Sequence, residues 1–294
     1  MSDIPINTND ARILDRSYRR YDGERTGVIG AIRTVTSHSI QRALGLRRSV
    51  WSKVFPAISI AIAYLPAAAF VGIAALFPVD LIGDDILPSY GDYYGFVTLA
   101  IILFSAFVAP EMLCPDRRTG LLGIYLASSL TRNTYVVAKL VAVALTLLVV
   151  TTGPLLLLLV SYTFEDVGPD SIGAWLKTLV QILAGGLAIA SLHGALSLAI
   201  SSFTDRKAVA SASIIGGMFV PSTLSAIVVD SGSSTYFRLL DLFNLPFEFV
   251  QRIWGNSGGW PELSTLTLGA AYSAWTLASV AVLWWNYQRV GVRQ

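Results

Sequence analysis

Six long apolar runs, separated by polar segments of unequal length, set the frame of this chain. They cover about Val54 to Phe77, Tyr93 to Leu113, Val136 to Phe164, Trp175 to Phe203, Ala208 to Val229 and Leu263 to Tyr287. Each reaches the roughly 20 residues that a helix needs to cross the hydrocarbon core of a bilayer. A helix also satisfies its own backbone in lipid, where water cannot. The pattern predicts an all-α membrane protein with six transmembrane helices over residues 54–287. A polar N-terminal segment (1–53) precedes this domain and a short tail (288–294) follows it.

Three polar or mixed segments do not read as simple turns. Within the first, residues 1–27 are charged and lack periodicity, whereas Val28, Ile32, Val35, Ala43, Leu46 and Val50 recur at helical spacing. Arg33, Arg47 and Arg48 lie off this stripe, and Arg42 falls near it and interrupts it. The expectation is an amphipathic helix lying on the membrane surface; a basic juxtamembrane segment is the alternative. The second segment, about 115–134, is rich in helix formers and is expected to fold as a helix between spans two and three. The third, about 235–256, has an apolar face through Tyr236, Leu239, Leu240, Phe243, Phe247, Val250 and Trp254. Arg238, Asp241, Glu248 and Arg252 lie opposite, spaced so that Arg238 can meet Asp241 and Glu248 can meet Arg252. Pro246 should break it. The expectation is a re-entrant pair of short helices dipping into the outer leaflet; a helix flat on the surface is the alternative.

Composition agrees with a membrane protein: 54% of residues are apolar and 14% charged, against about 25% charged in soluble domains. The distribution of charge sets the orientation. Of 21 Lys and Arg residues, all but Lys177, Arg238 and Arg252 fall on one side of a six-span layout. The positive-inside bias places that side, and both termini, in the cytosol. Trp51, Trp175, Trp254, Trp260, Trp284 and Trp285 sit near span ends, where amphipathic rings prefer the interface. The polar start predicts no cleavable signal peptide. With one cysteine, Cys114, no intrachain disulfide can form.

Candidate chemistry is sparse. None of the four lysines follows a glycine, so no phosphate-binding G-x-x-x-x-G-K-[ST] loop exists. His38 and His193 are the two histidines, too few with Cys114 for a zinc site. No G-x-S-x-G accompanies His193, which reads as a hydrogen-bonded packing residue. The chain is expected to be no enzyme, to bind no cofactor and to contact no nucleic acid. Gly186, Ala190 and Gly194 recur every four residues on span four, a spacing that lets another helix approach closely. Glu111 and Lys139 flank the second polar segment. They can pair with each other, or snorkel to the headgroups, which is the default for long charged side chains near span ends.

The second polar segment carries Asp116-Arg117-Arg118-x-Gly120, then Tyr125-Leu126-Ala127-Ser128, then Arg132-x-x-Tyr135-x-x-x-Lys139. This run resembles the permease subunits of ABC-2 type transporters, with Ala127 standing where serine is usual and Leu130 near the position of a common proline. The six-span layout, the amphipathic N-terminal helix and the outer re-entrant segment extend the similarity over most of the chain. The resemblance implies a multi-pass plasma membrane protein of a prokaryote, moving a substrate by alternating access. It implies a dimer with a second copy or a homologous permease, and two copies of a separate ATP-binding subunit that hold ATP and Mg2+. The helix between spans two and three would couple to that ATPase through Asp116, Arg117, Arg118, Gly120, Tyr125, Leu126, Ser128, Arg132, Tyr135 and Lys139. Asp116 would cap the coupling helix, and Arg132 and Lys139 would anchor its far end at the headgroups. Spans two and five would line the pathway, with Thr98, Phe104, Ser105, Phe107, Ser213, Gly217, Ser222 and Thr223 as the candidates. A six-span protein that moves nothing, in immunity or signalling, and a secondary transporter remain the competing classes.

Overall fold

The computed structural model describes residues 27–46, 50–77, 87–127 and 130–289. Ser128 and the charged N-terminal residues therefore lie outside the described residues. All regular structure among those described is helical. Six helical segments are long and apolar enough to cross a membrane: Trp51–Leu76, Tyr93–Arg118, Arg132–Phe164, Ile172–Ser201, Lys207–Asp230 and Thr265–Arg289. The protein is a multi-pass, all-α membrane protein.

In chain order, α1 (Gly27–Ala43) precedes α2 (Trp51–Leu76), the first span. Span two is α3 (Tyr93–Phe107) continued by α4 (Ala109–Arg118). Pro110 in the first turn of α4 lacks the N–H that would have carried the ladder through Val108. A one-and-a-half-turn helix, α5 (Leu121–Leu126), follows. Span three is likewise double, α6 (Arg132–Thr151) and α7 (Gly153–Phe164), with Pro154 at the joint. Then come α8 (Ile172–Ser201), α9 (Lys207–Asp230), a 3-10 turn (Thr235–Leu240), α10 (Leu245–Ile253) and α11 (Thr265–Arg289). Spans two and four are the most buried, at 67% and 72% of their apolar windows, whereas spans one, five and six reach only 17–22%. Spans two to four therefore form the centre, and the perimeter helices present apolar surface outward.

Close approach at the centre depends on small residues. A Cβ at Gly186 would lie 2.0 Å from Thr152 Oγ1, and one at Gly194 would lie 3.0 Å from Val143. Ala190 between them is fully buried. The spacing of these three small residues serves packing of α8 against span three within one subunit.

Two expected elements differ in detail. Span three starts at Arg132, four residues before Val136, because Thr131 and Thr134 form a reciprocal capping box. The segment 115–134 is not one helix: α4 carries span two to Arg118, Gly120 turns the chain at φ +68°, and α5 is only six residues long.

The segment between spans five and six does form two short helices. The break falls at residues 241–244, ahead of Pro246, which occupies the first turn of α10, where a missing N–H costs nothing. The first turn of α10 is deep in the bundle, with Leu245 clustered on Leu192 of α8. Its far end returns to Gln181, whose side chain donates to the Ile253 carbonyl at 2.9 Å. From Gln181 to Leu192 the path along α8 is about 16 Å at 1.5 Å per residue. The segment folds back along α8 within the bundle. Its charges have partners other than the helical neighbours that spacing suggested. Arg238 pairs with Glu262 at 3.1 Å. Asp241 accepts from the backbone of Phe243 and Asn244. Glu248 accepts from the Gly259 and Trp260 amides, and Arg252 donates to the Trp260 and Leu263 carbonyls. Backbone groups of the returning loop would be orphaned in an apolar setting, and these side chains satisfy them.

Candidate functional site

The ends of spans two to six that carry most of the arginines and lysines are tied together at one end of the bundle. Asp116, in the last turn of α4, is the hub and is fully buried. Its Oδ1 lies 2.5 Å from Arg42 Nη1 of α1, and its Oδ2 lies 2.7 Å from Lys139 Nζ of α6. Tyr135 donates its hydroxyl to Oδ2 at 2.9 Å. Lys139, 1% exposed, also donates to Ser39 Oγ at 2.9 Å and to the Met112 carbonyl at 2.8 Å. One carboxylate is thus shared by two cations from two other helices. Buried charges persist only when paired and hydrogen-bonded in this way.

These contacts correct three sequence expectations. Asp116 does not cap a coupling helix; Gly120 occupies the N-cap of α5, without a side-chain cap bond. Lys139 neither snorkels nor pairs with Glu111, because a carboxylate is at hand inside the bundle. Glu111 pairs instead with Lys207, tying α4 to the start of α9. Arg132 does not reach for headgroups; it donates to the carbonyls of Tyr287 and Gln288 at the end of α11. The same end of α11 is held by Asn286, which donates to Ser202 at the end of α8, and by Trp284, which donates to Asn133.

The N-terminal helix is part of the node, packed on α4 and α6. Its buried face is Val35, Thr36, Ser39 and Ala43, while Val28, Leu46 and Val50 of the expected stripe are exposed. Thr36 donates to the Ala138 carbonyl. Polar residues share the buried face because the surface they meet on α4 and α6 is itself polar. Arg42 interrupts the apolar stripe because Asp116 waits beneath it, a signal the sequence carried and spacing alone could not decode.

Around the hub, the rings of Tyr125, Tyr135 and Tyr287 pack in series, tilted against one another, with centroids 5.8 and 5.4 Å apart. Burial pushes the Tyr125 phenol above its usual range, and the Asp116 charge adds to the shift. The Tyr125 hydroxyl therefore stays neutral at physiological pH. Arg118 and Gly120 are exposed, and Arg117 is partly buried. Leu126 is partly buried, but Ile124 of the same turn is 67% exposed. Ile124 is one of several apolar side chains exposed at this end, Trp51 and Phe203 among them.

The pathway candidates do not converge within one chain. Phe107 stacks on Phe55 of span one at 4.5 Å, and Phe104 and Ser105 are interior. Thr98 lines a cup at the opposite end. Gly217 faces Ile200, Ser222 accepts from Asn244, and Ser213 and Thr223 lie on the exposed face of α9.

The fold and this node define a multi-pass helical membrane protein whose N-terminal helix, span two and span three are joined through one buried carboxylate. No protein-family model matches the chain, and no curated protein matches it.

Proposed function

We propose that the chain is the membrane-spanning permease subunit of an ATP-binding-cassette exporter, driven by a separate ATPase that docks at the α4–α5 corner. The observation that carries the reading is mechanical. The Tyr125 ring packs against Tyr135, Tyr135 bonds Asp116, and Asp116 holds α1, α4 and α6 together. A push on α5 is thereby passed to three helices as one body. Alternating access needs that kind of rigid-body tilt, together with a substrate that binds the two states differently. The resemblance of the Asp116–Lys139 run to ABC-2 permeases supplies the identity of the pusher. In this reading the basic end is cytosolic, consistent with the distribution of Lys and Arg. ATP and Mg2+ reside on the partner, and a second permease completes the complex.

The test is biochemical. The purified chain alone should turn over no ATP, having no phosphate-binding loop. It should copurify with an ATP-binding subunit encoded beside its gene, and that complex should hydrolyse ATP. Turnover by the isolated polypeptide, or no association with such a subunit, would sink the reading.

A further inference from the structure

A groove of about 440 Å³ lies between α1 and α6, on the outside of the bundle. Its apolar walls are Ile29, Ile32 and Ile40 of α1 and Val141 and Leu145 of α6. The volume is within the range of small-molecule sites. Val137, Val141 and Leu145 are four apart on α6 and share one face. All three are exposed, as is Ile29 across the groove. An exposed apolar row on a membrane span faces acyl chains, which are as apolar as leucine.

The depth of the groove follows from the contacts of α1. Traced back from Arg42, α1 follows α6 away from the basic corner. Arg42 meets Asp116, Ser39 accepts from Lys139, and Thr36 donates to the Ala138 carbonyl. Ile29 and Arg33 then share the groove with Val141 and Leu145. Span three has 33 residues, about 50 Å at 1.5 Å per residue, against a hydrocarbon core of about 30 Å. Val141 lies about 14 Å along α6 from Arg132. Shared between the two ends, the excess length of about 20 Å puts the groove near the level where headgroups give way to chains.

The polar lining identifies the occupant. Thr36 is spent on Ala138, and Gln41 donates to Ser37 Oγ at 3.3 Å. Arg33 is exposed and has no ion-pair partner among the described residues, and no Asp or Glu is among those that line the groove. At a bilayer surface the anion that meets such a cation is a lipid phosphate. A protein occupant fits less well. A two-fold seam between copies presents one patch from both sides, so it would set two Arg33 side chains against each other. A soluble partner does not reach Leu145, about 20 Å along α6 from Arg132.

We infer that the groove between α1 and α6 is a site for one anionic phospholipid, its acyl chain on Ile32, Ile40, Val141 and Leu145 and its phosphate on Arg33. The site rests on the packing of α1 against α6 in a membrane, and no ATPase enters it.

Native mass spectrometry of the full chain, released from micelles holding equal amounts of dioleoyl phosphatidylglycerol and dioleoyl phosphatidylcholine, tests it. One phosphatidylglycerol should be retained in preference to phosphatidylcholine. Arg33→Gln should lower that retention about fivefold or more. Arg206→Gln removes the same charge from an exposed position at the basic end, outside the groove, and should leave retention within about twofold of the unaltered chain. Leu145→Trp fills the groove from its exposed side, where the core is undisturbed, and should displace both lipids. Unchanged retention in Arg33→Gln or in Leu145→Trp would overturn the inference. Equal losses in Arg33→Gln and Arg206→Gln would overturn it too, since they mean general attraction of anionic lipid to a basic surface. A lipid-free dimer that Leu145→Trp dissociates would give the groove to a second copy instead.

Discussion

Replacing Asp116 with asparagine should cost about 3–5 kcal/mol of stability, the penalty for leaving buried charge without its partner. The sign follows from counting charges at the node. Arg42 and Lys139 each carry +1 and Asp116 carries −1, so the intact cluster is +1. Asp116→Asn leaves +2 in a site where Lys139 is 1% exposed. Lys139→Met removes the cation instead and leaves Asp116 neutralised by Arg42 and hydrogen-bonded by Tyr135. Its cost should be well under half as large, despite deleting the same ion pair. Equilibrium unfolding in mixed micelles would rank the two variants. Equal losses would mean that packing, not charge balance, governs the node.

The second large effect is functional. Replacing Tyr125 and Leu126 together with alanine changes no charge, so orientation in the membrane should survive. It removes the ring that packs α5 against Tyr135 and much of the apolar area of the corner. If the corner couples to an ATPase, few residues should carry most of that contact. Transport should then fall by tenfold or more, an order-of-magnitude expectation for losing one or two anchoring side chains. ATP hydrolysis should either persist uncoupled or disappear with the released subunit. Transport and copurification both unchanged would reject the corner as the coupling element.

The spans were legible because lipid imposes one rule on backbone and side chains alike. Length and apolarity located all six, and the segment between spans five and six that folds back along α8 stood out by being too greasy for a loop and too short to cross. Partners of charged residues were not legible. Spacing along one helix suggested Glu248 with Arg252, but the orphaned amides of a returning loop 11 and 12 residues away offered Glu248 a better acceptor role. Asp116 read as a cap because caps are local, whereas its partners Arg42 and Lys139 lie 74 and 23 residues away in sequence. The break of Arg42 into the α1 stripe and the placement of Lys139 one turn after Tyr135 in an apolar span were the clues, and both need a third dimension to interpret.

The central claim is that the α4–α5 corner meets an ATP-binding subunit. Ile124 is the residue to use, being apolar, 67% exposed and clear of the Asp116 node. A photoreactive benzoylphenylalanine at Ile124, in membranes that also contain a co-expressed candidate ATP-binding subunit, should on irradiation yield a covalent adduct of the two chains. The same group at Leu266, equally apolar and 81% exposed at the opposite end of the bundle, should yield none. An adduct from Leu266 but not from Ile124, or crosslinks from Ile124 to lipid alone, would contradict the account.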